Sequence, residues 1–68
     1  MAPIRRVAIR IKALREKRGL SQQALAEKAG LSRTYLARLE TARQDPTLST
    51  LEKLAKALGV PVSALLEA

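Results

Sequence analysis

The 68-residue sequence contains no cysteine and no histidine. Without cysteine there is no disulfide framework and no thiolate site. Without histidine, the usual zinc ligand sets and imidazole acid/base catalysis are excluded. Aromatic residues are nearly missing as well: there is no Trp or Phe and only one Tyr. A chain this short, with no covalent staple, has little room for a deep pocket and must rely on packed helices for its stability. No apolar run approaches the roughly 20 residues needed to span a bilayer. The opening "MAPIRRVAIRIK" mixes charge with apolar residues instead of presenting a signal-peptide core. The expectation is one cytoplasmic domain over residues 1–68, with no metal, cofactor, small-molecule ligand or membrane partner.

Acidic residues are also scarce. Six Asp and Glu stand against thirteen Lys and Arg, a formal charge of +7. That density points to a polyanionic partner, nucleic acid before an anionic membrane surface. The few acids are scattered, Ser21 and Ser32 are better explained as helix caps, and no base is placed to activate them. An enzyme is therefore not expected.

What is abundant is Ala, Leu, Arg, Lys, Glu and Gln, the stronger helix formers, and this composition predicts an all-α fold. Gly19, Gly30, the "RQDPT" stretch at 43–47 and "GVP" at 59–61 divide the chain into five helical segments. Helix 1 is expected over residues 4–18, with Ile4, Val7, Ile11 and Leu14 on one stripe. Ser21 caps helix 2, which Gly30 ends. Ser32 caps helix 3 over residues 33–41. Thr47 caps helix 4, whose Leu48, Leu51, Leu54, Ala55 and Leu58 share a face and which Gly59 closes. Pro61 is suited to the first turn of a last short helix through Leu65 and Leu66.

Helices 2 and 3 are joined by only "GLS", which implies a large crossing angle and a helix-turn-helix over about residues 22–41. Ala26 is small where the helices approach, and Leu25, Ala29, Leu31, Leu36 and Leu39 supply an apolar seam. At about 100° per residue, Tyr35, Leu36 and Leu39 fall in one arc. Arg33, Thr34, Ala37, Arg38 and Thr41 fall in the opposite one. That second arc carries two cations, hydroxyls and no acid. Arginine bonds guanine O6 and N7 in a major groove, and Thr and Ala methyls touch the thymine methyl. The plain alternative is a solvated face.

The first turns after Ser21 and Ser32 also lack acids, so both positive helix ends stay open to phosphate, and Gln22 adds an amide at one of them. Arg15 and Glu40 lie at the edges of the apolar stripes of helices 1 and 3. A half-buried carboxylate there needs a partner, and a guanidinium meets the need bidentately, so the two are expected to form a structural ion pair.

The segment "LREKRGLSQQALAEKAGLSRTYLARLE", followed by "PTLSTLEKLAKALGV", resembles the phage repressor and Cro class of helix-turn-helix proteins, which includes the xenobiotic-response regulators. The likeness runs from about Val7 to Leu66. It implies a compact five-helix, lambda-repressor-like domain that binds a two-fold DNA operator as a homodimer through its C-terminal helix, with Val62, Leu65 and Leu66 as dimer contacts, the alternative being that these residues close the monomer core. It further implies that Ser32, Arg33, Thr34, Ala37 and Arg38 read bases, that Gln22, Tyr35 and Arg43 hold phosphates, and that Arg15 pairs with Glu40.

One departure concerns Ala42, where many members have glycine. Alanine resists the left-handed conformation, so an extended or differently capped exit from helix 3 is expected, which bears on Arg43 and Gln44. Arg5, Arg6, Arg10, Lys12, Lys17 and Arg18 read as a solvated face, with a DNA-seeking arm at Arg5 and Arg6 as the alternative. Ile9 stands off the helix 1 stripe. The leading expectation is a sequence-specific DNA-binding transcriptional regulator. The second is an antitoxin-like interaction module with secondary or autoregulatory DNA binding, against which the near absence of a tail after "SALLEA" counts.

Overall fold

The computed structural model of the chain describes residues 4–66, and every regular element in that range is helical. In chain order these are α1 (Ile4–Lys17), α2 (Gln22–Ala29), α3 (Arg33–Glu40), α4 (Leu48–Leu58) and α5 (Ser63–Leu66). Among the described residues, no helix is long and apolar enough to cross a membrane.

The apolar spacing decides which faces turn inward. Val7, Ile11 and Leu14 of α1, Leu51, Leu54 and Leu58 of α4, and Leu36 and Leu39 of α3 recur at three- and four-residue intervals and are all buried. α2 packs against both α3 and α4, while α1 lies across α3, α4 and α5. Ile11, Leu25, Leu36, Leu39, Leu54, Leu58 and Leu65 are essentially sealed from solvent. Full burial of each contributes about 1.5–3 kcal/mol before the entropy of ordering is subtracted. Ala26 is buried, as a small residue between close helices must be.

The starts of α2, α3 and α4 are where the sequence places them. Ser21 Oγ accepts from the Ala24 N–H at 3.0 Å, Ser32 Oγ from Tyr35 N–H at 3.1 Å, and Thr47 Oγ1 from Thr50 N–H at 3.1 Å. Each cap satisfies one of the four orphan amides of its helix. Gly30 closes α2 at a φ of 72°, and the following Leu31 N–H reaches back to the Ala26 carbonyl at 2.8 Å. This is a Schellman closure, which needs the left-handed conformation that glycine adopts without strain.

The exit from α3 corrects the sequence reading. Ala42 does adopt the left-handed conformation, at φ 59°. Its N–H bonds the Leu39 carbonyl at 3.2 Å, and the Arg43 N–H bonds the Arg38 carbonyl at 2.9 Å. The helix therefore ends in the same closure as α2, with alanine in the glycine position. The physical reason is a balance of similar terms: the left-handed conformation costs about 1–2 kcal/mol, and leaving carbonyls unpaired costs about as much.

Other differences are local. Leu48 is 65% exposed. It occupies the first turn of α4, about 70° from the centre of the stripe that Leu51, Leu54, Ala55 and Leu58 define. α5 begins at Ser63, and Pro61 lies outside it, offering its carbonyl to the Ala64 N–H at 3.0 Å. Leu65 is fully buried and belongs to the monomer's core, so it is withdrawn as a dimer contact; Leu66 is 43% exposed and Val62 is half-buried. Arg10 and Arg18 are not simply a solvated face. Arg10 Nε donates to the Ala64 carbonyl and Arg18 Nε to the Leu58 carbonyl, each at 2.9 Å. Each clips α1 to a later helix, and Arg18 satisfies an orphan carbonyl at the end of α4.

The ion pair expected from the helical plot is present. Arg15 Nε and Nη2 donate to Glu40 Oε2 and Oε1 at 2.6 and 3.0 Å. Arg15 Nη1 donates to the Leu20 carbonyl at 2.8 Å, so the guanidinium also holds the turn after α1. The hydrogen bond with Glu40 raises the Arg15 pKa while burial opposes it. A raised guanidinium pKa adds stability that is lost only as pH rises through the folded value, so Arg15 introduces no pH dependence near neutrality.

Two substitutions test this reading of the fold. Ala42→Gly relieves the left-handed strain, partly offset by the freer unfolded chain, for a net gain of about 0.5–1 kcal/mol. A higher urea midpoint at unchanged slope is the expected result, and a lower midpoint contradicts it. Arg15→Met strands the Glu40 carboxylate and destabilises by about 3–5 kcal/mol, most of which a paired Glu40→Leu change recovers. Simple additivity of the two losses in urea denaturation contradicts the buried pair.

Candidate nucleic-acid interface

α3 has one buried side and one open side. Leu36 and Leu39 fix the buried side, while Arg33, Thr34, Arg38 and Thr41 are exposed and Ala37 is half-buried between them. The residues expected to read bases therefore share one outward surface. No acid lies in the first turn of α2, α3 or α4. No acid of its own first turn offsets the positive end of any of these helices.

Not every hydroxyl on this surface is equally available. Ser32 Oγ accepts the α3 cap bond, leaving its own proton to donate. Thr41 Oγ1 donates back to the Ala37 and Arg38 carbonyls at 3.1 and 3.2 Å, so it serves the end of the helix. Thr34, in the first turn, is exposed.

The three expected phosphate contacts are held in different ways. Gln22, the first residue of α2, donates through Nε2 to Glu40 Oε1 at 3.1 Å. That bond uses one of its two amide protons. Gln22, Glu40 and Arg15 thus form one hydrogen-bonded cluster, and the buried ion pair sets the position of the amide. Tyr35 is half-buried, packs against the core, and its hydroxyl lies 3.2 Å from Thr50 Oγ1. Arg43 is exposed just past the Ala42 turn, its backbone tied to α3 through the Arg38 carbonyl. Exit geometry is therefore preserved up to Arg43 despite the alanine. The same loop carries one exposed acid, Asp45.

Sequence reasoning missed Thr50. It is buried on α4, donates its N–H to Thr47 and contacts both the Thr47 and Tyr35 hydroxyls. A faint signal was available: a half-buried tyrosine hydroxyl needs a partner, and Thr50 is the polar residue three places after a cap. What the sequence does not supply is the fifteen-residue jump that brings them together.

Two open depressions of about 350 and 320 Å³ lie elsewhere, at the C-terminal ends of α2 and α4, lined by Arg18, Lys28, Lys53 and Lys56 among others. Lys28 and Lys56 are in the last turns of their helices, where cations offset the helix dipole. That role accounts for them without a ligand.

With this geometry in place, comparison with known proteins is direct. The family model for helix-turn-helix proteins of the HTH_3 type matches residues 11–65. The immunity repressor protein of Bacillus phage phi105 is 58% identical over 59 residues, covering 87% of this chain and 41% of the repressor. An uncharacterised helix-turn-helix transcriptional regulator of Sinorhizobium fredii is 47% identical over 47 residues, covering 69% of this chain and 61% of that protein. The chain thus spans less than two thirds of the length of either relative. Among solved structures, the restriction-modification controller protein C.AhdI of Aeromonas hydrophila superposes with a TM-score of 0.89 at 34% identity, covering 91% of this chain and 94% of that one. The biofilm master regulator SinR, solved in complex with DNA, gives a TM-score of 0.86 at 40% identity, covering 90% and 98%. Sequence, fold and the placement of the α2–α3 pair agree, and this chain belongs to the helix-turn-helix family HTH_3, in its repressor and Cro class.

Proposed function

We propose that this chain binds double-stranded DNA in a sequence-specific way, as a transcriptional regulator, with α3 entering the major groove. The observation that carries the reading is the division of α3 itself: one side is locked into the core, and the other offers Ser32, Arg33, Thr34, Ala37 and Arg38 with no acid among them. Arg33, in the first turn, is placed to bond a guanine edge. Arg38, one turn later, reaches either a base or a phosphate. Gln22 and Tyr35 grip phosphates on either side of the groove and Arg43 extends the contact beyond α3. The solved complex of SinR with DNA supports this use of the shared fold.

The binding unit in this reading is a homodimer on a two-fold operator, joined around α5, with the two α3 helices about 34–36 Å apart. Leu66 and Val62 are the available contacts, Leu65 being spent on the core. An interaction module that grips a partner protein is less well supported, because the large exposed apolar side chains, Ile9, Leu48 and Leu66, are spread over three helices. The reading assigns no catalytic step to any residue.

Salt titration with base-specific competition is the test. Log affinity should fall with log salt by about 0.9 per phosphate neutralised. Arg43→Ala should lower that slope by about one per chain and weaken all sequences alike, whereas Arg33→Ala should cost about 1–3 kcal/mol at the chosen site and little on random DNA. A flat salt response overturns the proposed function, and an equal loss at both kinds of site returns Arg33 to phosphate binding.

A further inference from the structure

Thr50 is a buried hydroxyl with two hydroxyl neighbours, and neither the core nor the helix ladder explains why both are there. Thr47 Oγ1 accepts the Thr50 N–H at 3.1 Å and donates its own proton to Thr50 Oγ1 at 3.0 Å. Tyr35 Oη lies 3.2 Å from the same Thr50 oxygen, on its other side in the chain of contacts. A threonine hydroxyl has one proton to give and two lone pairs with which to accept. Since Thr50 Oγ1 accepts from Thr47, its own proton needs an acceptor in a site that is 8% exposed, and Tyr35 Oη is the one within reach.

We propose that Thr50 is a positioning residue for nucleic-acid binding, donating to Tyr35 Oη so that the tyrosine proton is left free for a DNA phosphate oxygen. The proposal rests on Tyr35 being a phosphate contact, as read above. The chain then runs in one direction, from the Thr50 amide through Thr47, Thr50 and Tyr35 to the ligand. Hydrogen bonds aligned in this way polarise one another, strengthening the last donor. The arrangement also makes the α4 cap and the α3 surface one unit, because the hydroxyl that starts α4 sets the direction of the hydrogen bond on the tyrosine. If the order were reversed, Tyr35 would spend its proton on Thr50 and offer a phosphate only lone pairs, which repel it.

A double-mutant cycle on the full chain separates the possibilities, using one selected duplex and a fixed low salt concentration. Tyr35→Phe removes the terminal donor and should weaken binding about tenfold, the scale of a hydrogen bond to a charged group. Thr50→Val keeps the shape but removes the relay, and should weaken binding about three- to tenfold in the parent. In the Tyr35→Phe background the same change should have almost no effect, and Thr50→Ser should bind like the parent. Unfolding midpoints for each protein establish that it is folded at the assay temperature. Should Thr50→Val not fold, Thr50→Ala removes the same hydroxyl without placing an extra methyl beside Tyr35. Equal losses in both backgrounds, or no loss on removing the Thr50 hydroxyl, overturn the relay while leaving Tyr35 as a phosphate contact. No loss with Tyr35→Phe, alongside normal salt-dependent binding, overturns the tyrosine contact and the relay with it, while DNA binding through α3 stands.

Discussion

The guanidinium of Arg15 meets the carboxylate of Glu40 in a nearly dry place between α1 and α3, with side chains 11% and 2% exposed. Taking both charges out of water is expensive, and the two parallel hydrogen bonds largely return that cost without adding much beyond what apolar side chains would provide. The value of the pair is geometric. Its bonds are directional and cannot slide as leucine contacts can, so α3 has one rotation and one depth relative to α1. The same guanidinium closes the turn at Leu20, and the same carboxylate holds Gln22 at the start of α2. One buried pair thereby fixes three helices and the side chain that opens the helix-turn-helix.

A second polar network holds the other side of α3. Thr47 and Thr50 at the start of α4 contact the Tyr35 hydroxyl, so α3 is tied through polar atoms both to α1 behind it and to α4 beside it. Between these two tethers the outward residues Arg33, Thr34 and Arg38 are free of structural duty. The backbone that carries them is held in place by both tethers. Arg10 and Arg18 add two further clips from α1 to the carbonyls of Ala64 and Leu58. Part of the chain's positive charge therefore also serves the fold.

Features set by neighbours in sequence could be read from it. Ser21, Ser32 and Thr47 act within three residues, Gly30 and Gly59 within five, and the apolar stripes follow from helical spacing, so these are found where expected except for Leu48, which the first turn of α4 leaves exposed. The Arg15–Glu40 pair was legible because both residues border such stripes. Features set by tertiary closeness were not. The Thr50–Tyr35 contact and the arginine clips join residues that only the fold brings together. Ala42 was misjudged because a conformational preference of about 1–2 kcal/mol was weighed alone, without the two backbone hydrogen bonds that the left-handed turn completes. Leu65 shows the same limit: a short apolar helix fits a core and an interface equally well until its neighbours are known.

The central proposal is that α3 presents Arg33, Thr34 and Arg38 to the bases of a duplex while two polar tethers hold it in place. Selection of bound duplexes from a random pool, with the chain and its Arg33→Ala variant run in parallel, examines this most directly. The expected result is a two-fold consensus with half-sites about 10 base pairs apart, in which one guanine per half-site loses its preference in the variant. An unstructured pool, or a consensus that Arg33→Ala leaves unchanged, would contradict it.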